Sequence, residues 1–159
     1  KNCGYMFEGC TAIKRINLDS VEAITGNYGA AYMLKGCISL NGAVLSLPNL
    51  VSIDANAGRE MWNGVVLKLL YVPNLQTMGP DGWYSRGDAL EVYAPKFITK
   101  NTQNIDLAGT NCVRLTINVK ALDSPTANRS AIYNIINLKD LFIIGKSRYF
   151  SIFFIFIFQ

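Results

Sequence analysis

The 159-residue chain contains no histidine, so the commonest metal ligand and the usual general base near neutral pH are both missing. Charge is sparse: only 16% of residues are Asp, Glu, Lys or Arg, and the net charge is +4. The basic residues are scattered and form no run that tracks a surface, which argues against a nucleic-acid footprint. The four cysteines include no Cys-x-x-Cys pair, and with no histidine the ordinary zinc spacings are excluded. The glycines form neither a dinucleotide fingerprint nor a Walker A loop, and no Gly-x-Ser-x-Gly elbow occurs. No cofactor is therefore expected. No apolar run approaches the ~20 residues that a membrane-spanning helix needs. Residue 1 is Lys, so a fragment or a processed product is expected, and the lack of a visible leader says nothing about compartment.

What is present is half apolar, a globular composition, and it is periodic. Leu18-Asp-Ser-Val-Glu-Ala-Ile24 returns as Leu47-Pro-Asn-Leu-Val-Ser-Ile53 and as Val72-Pro-Asn-Leu-Gln-Thr-Met78. Weaker echoes follow at Ala94-Pro-Lys-Phe97 and Val119-Lys-Ala-Leu122. A period of roughly 20–50 residues is the signature of stacked repeats. A unit of that size cannot bury its own apolar face, so neighbouring units bury faces against each other.

Each unit reads as a leader, a strand and a trailer. The leaders are Tyr5–Cys10, Tyr32–Cys37 and Met61–Gly64. Apolar residues two apart mark strands with one buried face: Ile13–Leu18, Leu45–Leu47, Leu70–Val72, Leu90–Ala94, Leu115–Val119 and Leu138–Ile143. The trailers add an anchor three residues on, at Val21, Leu50, Leu75, Phe97 and Leu122. Alternation then sorts side chains into columns. Ile16, Leu45, Leu70, Val92, Ile117 and Leu141 should face the core, as should Leu18, Leu47, Val72, Ala94, Val119 and Ile143. The column between them should face outward: Asn17, Ser46, Tyr71, Tyr93, Asn118 and Phe142. A neighbouring outward column reads Arg15, Val44, Leu69, Glu91, Thr116 and Asp140.

The leader Met-Phe-x-Gly-Cys-Thr-x-Ile-Lys-x-Ile is carried by Met6, Phe7, Gly9, Cys10, Thr11, Ile13, Lys14 and Ile16. It returns in Met33, Leu34, Gly36, Cys37 and Leu40. With the Leu-x-x-Leu-x-Leu spacing, it resembles the BspA-like, or Treponema-type, bacterial leucine-rich repeats. The resemblance covers residues 5–143 and is closest over the first three units. It implies an α/β-type repeat solenoid, mainly β, over residues 1–145 in five to six units. A parallel sheet would line the concave face, with an irregular or short-helical convex side. It also implies an exported or cell-surface bacterial protein, non-catalytic, that recognises a protein or glycan. A right-handed parallel β-helix is the competing fold. It needs two or three strands per turn, and the trailers look too irregular to supply them.

On this reading the binding residues are Tyr71, Tyr93, Glu91, Leu69, Asn118 and Asn17. Tyrosine gives contact area and a polar tip at low entropic cost. Stacked tyrosines also simply stabilise adjacent strands, and the sequence leaves both accounts open. The alternatives are a structural spacer in a phage tail or surface fibre, and a β-helix enzyme acting on polysaccharide. For the enzyme, nothing in the spacing of Asp54, Glu60, Asp81, Asp88, Glu91 and Asp106 selects a carboxylate pair.

Three smaller features have plain accounts. Cys10, Cys37 and Cys112 each precede an apolar anchor by three residues and should form a buried ladder of small hydrophobes, although a Cys3–Cys10 or Cys10–Cys37 bridge is open to an exported chain. Arg86-Gly87-Asp88 spells an integrin-binding tripeptide, yet its glycine falls where Gly36 and Gly64 fall, before a strand, so a turn explains it. Asn128-Arg-Ser is a glycosylation sequon that counts only in a eukaryotic secretory setting. The segment 146–159 leaves the repeat. It reads as a cap, a chance tail or the start of a truncated anchor, and only the last would bring the chain to a membrane.

Overall fold

A computed structural model describes residues 2–83, 88–98, 111–118 and 139–145. Within them the chain is a mainly β solenoid of about three turns, and the only helical segment is a 3-10 turn at Ile38–Leu40. Among the described residues there are eight strands: β1 (Ala23–Ile24), β2 (Val44–Ser46), β3 (Ser52–Ile53), β4 (Val66–Tyr71), β5 (Thr77–Met78), β6 (Asp88–Ala94), β7 (Arg114–Asn118) and β8 (Asp140–Ile144). They form two sheets, β2-β4-β6-β7-β8 and β1-β3-β5, and every pairing is parallel.

The second sheet corrects one expectation. The first three trailers do supply strands, of two residues each, and they stack in register as Ile24, Ile53 and Met78. Periodicity cannot reveal a strand that short, because two residues hold only one alternation.

The Leu-Pro-Asn-Leu phrase is the corner between the sheets. Leu50 N–H donates to the Leu47 carbonyl at 3.2 Å and Leu75 N–H to Val72 at 3.2 Å, closing a β-turn in each coil. Proline at the second turn position supplies the required φ. Asparagine at the third ties the coils together. Asn49 Nδ2 donates to the Asp19 carbonyl and Asn74 Nδ2 to the Pro48 carbonyl, both at 2.8 Å.

The leaders build a third ladder without strands. Alternate N–H groups reach the next coil: Cys3, Tyr5, Phe7 and Gly9 donate to Gly29, Ala31, Met33 and Lys35 at 2.7–3.0 Å. The N–H groups between them close local turns, as in Met6 to Cys3, Glu8 to Tyr5 and Cys10 to Phe7. Ala30, Tyr32, Leu34 and Gly36 repeat the pattern onto Ala57, Arg59, Met61 and Asn63. Such a ribbon needs left-handed residues at regular intervals. Gly9, Gly36 and Gly64 supply one set at φ 71°, 71° and 78°. Tyr5, Tyr32 and Glu60 hold an equivalent set at φ 60°, 58° and 50°. Glycine adopts this region freely, whereas other residues pay roughly 1–2 kcal/mol for it.

The core runs through the middle of the coils. Leu45, Leu47, Leu50, Leu70, Val72, Leu75, Val92, Ala94, Phe97 and Leu115 are all buried. Trp62 and Trp83 join it from the leader side, packed edge to face with centroids 4.9 Å apart.

Two strand expectations change. Ile13–Leu18 forms no strand, and Ile13, Ile16 and Leu18 are only half-buried. That first coil stands open around a hollow of about 290 Å³ between Phe7, Leu18, Val21, Ile24, Met33 and Met61. The second change is a register slip. Leu115 pairs with Val92, and Ile117 with Ala94, so β7 is offset by two residues from the expected alignment. A two-residue slip keeps every side chain on its own face, so hydrophobic alternation cannot detect it.

Candidate functional site

The outward side of the five-stranded sheet carries two columns, now in their true register. One reads Ser46, Tyr71, Tyr93, Thr116 and Phe142; the other reads Val44, Leu69, Glu91, Arg114 and Asp140. Four expected site residues meet there: Leu69, Tyr71, Glu91 and Tyr93. The tyrosine rings are stacked, with centroids 5.4 Å apart and planes 10° from parallel. That spacing follows from the ~4.8 Å between paired strands. Both tyrosines are half-buried.

Two expected residues do not join them. Asn118 faces Ile144 across the ladder and donates from Nδ2 to the Pro95 carbonyl at 3.2 Å. Its place beside Tyr93 belongs to Thr116. Asn17 lies outside both sheets, where its Oδ1 accepts the Asp19 N–H at 2.8 Å in a local turn.

Arg114 is the residue that sequence alignment missed. It enters the charged column between two carboxylates: Nη1 lies 3.3 Å from Glu91 Oε2, and Nη2 lies 3.1 Å from Asp140 Oδ2. The hydrogen bond to Asp140 is the main reason the guanidinium is held protonated even more firmly than usual, with the charge of Glu91 next. All three side chains are a third to a half exposed, so the triad is a surface feature with restrained geometry. Between the two columns runs a shallow groove of about 160 Å³, lined by Leu69, Tyr71, Glu91, Tyr93, Arg114 and Thr116. Pockets that enclose a small molecule start near 300 Å³, so this groove suits a single ring or side chain lying on the surface.

The leader side carries a second cluster. Tyr5 and Tyr32 stack at 4.9 Å and 15°, and the Lys35 ammonium stands 5.2 Å from the Tyr32 ring centre. Lys35 also pairs with Glu8 at 2.8 Å. The signal was present in the sequence, since Tyr5 and Tyr32, and Glu8 and Lys35, occupy equivalent leader positions.

The cysteine ladder is uneven. Cys37 and Cys112 are fully buried, while Cys10, in the open first coil, is exposed. Burial pushes the Cys112 thiol up to about 11 and raises that of Cys37. Among the described residues, no three His, Cys, Asp or Glu side chains are grouped to hold a metal. Asp88 begins β6, whereas Arg86, Gly87, Asn128, Leu122 and the segment 146–159 lie outside the described residues.

The class this architecture defines is a parallel-β repeat solenoid with a tyrosine and ion-pair patch on its broad sheet. Comparison with protein-family models, characterised proteins and solved structures found no match.

Proposed function

We propose that the chain is a non-catalytic binding module of the leucine-rich-repeat kind, recognising a protein or glycan at a bacterial cell surface. The observation that carries this reading is the pairing of the Tyr71–Tyr93 stack with the Glu91–Arg114–Asp140 triad across one shallow groove. Rigid aromatic edges beside fixed donors and acceptors make a surface that recognises rather than encloses. Phe142, Thr116 and Leu69 extend it along the sheet. A sugar ring or an aromatic side chain would lie in the groove, with Arg114 donating and Glu91 accepting at its edge.

The test uses glycan and protein arrays with the intact chain, followed by the Tyr93→Ala variant. A ligand that binds the parent should bind the variant at least tenfold more weakly, with the far-ultraviolet spectrum unchanged. No array hit at all, or equal binding by the variant, would count against the proposal.

The ladder of short trailer strands favours a second reading, the parallel β-helix, with a polysaccharide-active enzyme as its function. On that reading Glu91 and Asp140, both held by Arg114, form the carboxylate pair. Release of reducing ends from polysaccharides by the parent, abolished in Glu91→Gln, would favour it.

A further inference from the structure

Cys10 and Cys37 occupy equivalent places in adjacent leaders, and the inter-coil bonds fix that equivalence. Gly9 N–H, one residue before Cys10, donates to the Lys35 carbonyl at 2.8 Å. A methyl added at Gly36, one residue before Cys37, would lie 3.8 Å from the Gly9 Cα, so the two backbones are in contact. The Cys37 sulfur points back across the gap. It donates to the Phe7 carbonyl at 3.0 Å, and that carbonyl also closes the turn with Cys10 N–H at 3.0 Å. The thiol of one cysteine therefore sits in the turn that carries the other. Paired parallel segments lie about 4.8 Å apart. Disulfides span Cα separations of roughly 4.4–6.8 Å.

We propose that Cys10 and Cys37 form an oxidative modification site, a disulfide that staples the open first coil onto the second when the chain meets a disulfide oxidant such as oxidised glutathione. Both thiols are free in the structure. Their exposures assign the order of events. Cys10 is exposed and reacts first: its thiolate attacks one sulfur of oxidised glutathione, forming a mixed disulfide and releasing one glutathione thiolate. The buried Cys37 then loses its proton to solvent, and its thiolate attacks the Cys10 sulfur. The bond from Cys10 to glutathione breaks and a second glutathione thiolate leaves. Two protein thiols are oxidised, one glutathione disulfide is reduced, and the two released thiolates take up the two protons. Burial raises the Cys37 thiol, so the second step should quicken as pH rises from neutral. The bridge would add a covalent link to the backbone ladder that joins the first two leaders and holds Tyr5 over Tyr32. Cys3, two residues before the same leader, serves as the internal control.

The intact folded chain is incubated with oxidised glutathione at mildly alkaline pH, alkylated, digested and mapped by mass spectrometry. Titratable thiols should fall from four to two, with one peptide pair linked through Cys10 and Cys37. Cys3→Ser should still form the bridge, and Cys10→Ser should form none. Cys37→Ala, which keeps a small apolar group in the core, should stop at a glutathione adduct on Cys10. Four remaining thiols, a parent chain that stops at the adduct, or a bridge that includes Cys3 would each overturn the assignment. So would an equal yield of the Cys10–Cys37 pair in urea, since the fold would then not be what brings them together.

Discussion

The trailer column offers the sharpest test of the packing. Val21, Leu50, Leu75 and Phe97 hold the same place in successive repeats, and the sequence gives no reason to rank them. The structure does. Leu50, Leu75 and Phe97 are fully buried, whereas Val21 is half-buried beside the hollow in the first coil. Each buried methyl or methylene contributes about 0.8 kcal/mol. Val21→Ala removes two such groups that are about half covered, so it should cost roughly 0.8 kcal/mol, with little new cavity because the site already opens on a hollow. Leu75→Ala removes three groups from a closed core, about 2.4 kcal/mol by transfer alone, and the cavity raises this into the 2–5 kcal/mol range. Phe97→Ala should cost about 3–5 kcal/mol. Such losses are large against a total stability of ~5–15 kcal/mol. Urea unfolding followed by far-ultraviolet circular dichroism would give the three values side by side. A Val21→Ala cost equal to that of Leu75→Ala would refute the graded column, because it would mean that the first coil is packed as tightly as the second and third.

Two further outcomes follow from single contacts. Asn74→Ala removes the donor to the Pro48 carbonyl and the acceptor of Lys96, and should cost about 1 kcal/mol in the same urea assay, whereas Asn74→Leu should not restore it. The Glu8–Lys35 pair should show in the pH dependence of melting. Its hydrogen bond and charge raise the Lys35 pKa above the ordinary 10.5, so the pair stabilises the fold below that value. The stabilisation is lost as pH rises through the higher folded value. The difference in melting temperature between the parent and Glu8→Gln should therefore be present at neutral pH and vanish in strong alkali; a difference that grew with pH would contradict the linkage.

Much of the solenoid was legible in the chain. The returning Leu-Pro-Asn-Leu phrase gave the repeat, because burying one face per coil forces apolar residues to recur at each turn. Leu50, Leu75 and Phe97 are core anchors for that reason, and Gly36 and Gly64 are left-handed as their place before a strand suggested. Alternation likewise put Tyr71 and Tyr93 on one outward column and Leu69 and Glu91 on the next.

The remainder depended on how the coils meet. A slip of two residues leaves every face unchanged, so only the ladder of backbone hydrogen bonds could remove Asn118 from the site, put Thr116 in its place and bring Arg114 between Glu91 and Asp140. Ile13–Leu18 has a strand pattern but forms no strand, because alternation reports a tendency to be half-buried and a strand needs a partner to accept its bonds. Tyr5 and Tyr32 turn left-handed because the stacked leaders require it, a demand no local propensity expresses. The amino-acid order by itself determined that this protein stacks, and which side chains of the broad sheet's strands face in or out. Tertiary structure alone decided which residues become neighbours across the stack, because those neighbours lie a full coil apart and are chosen by inter-coil hydrogen bonds rather than by periodicity.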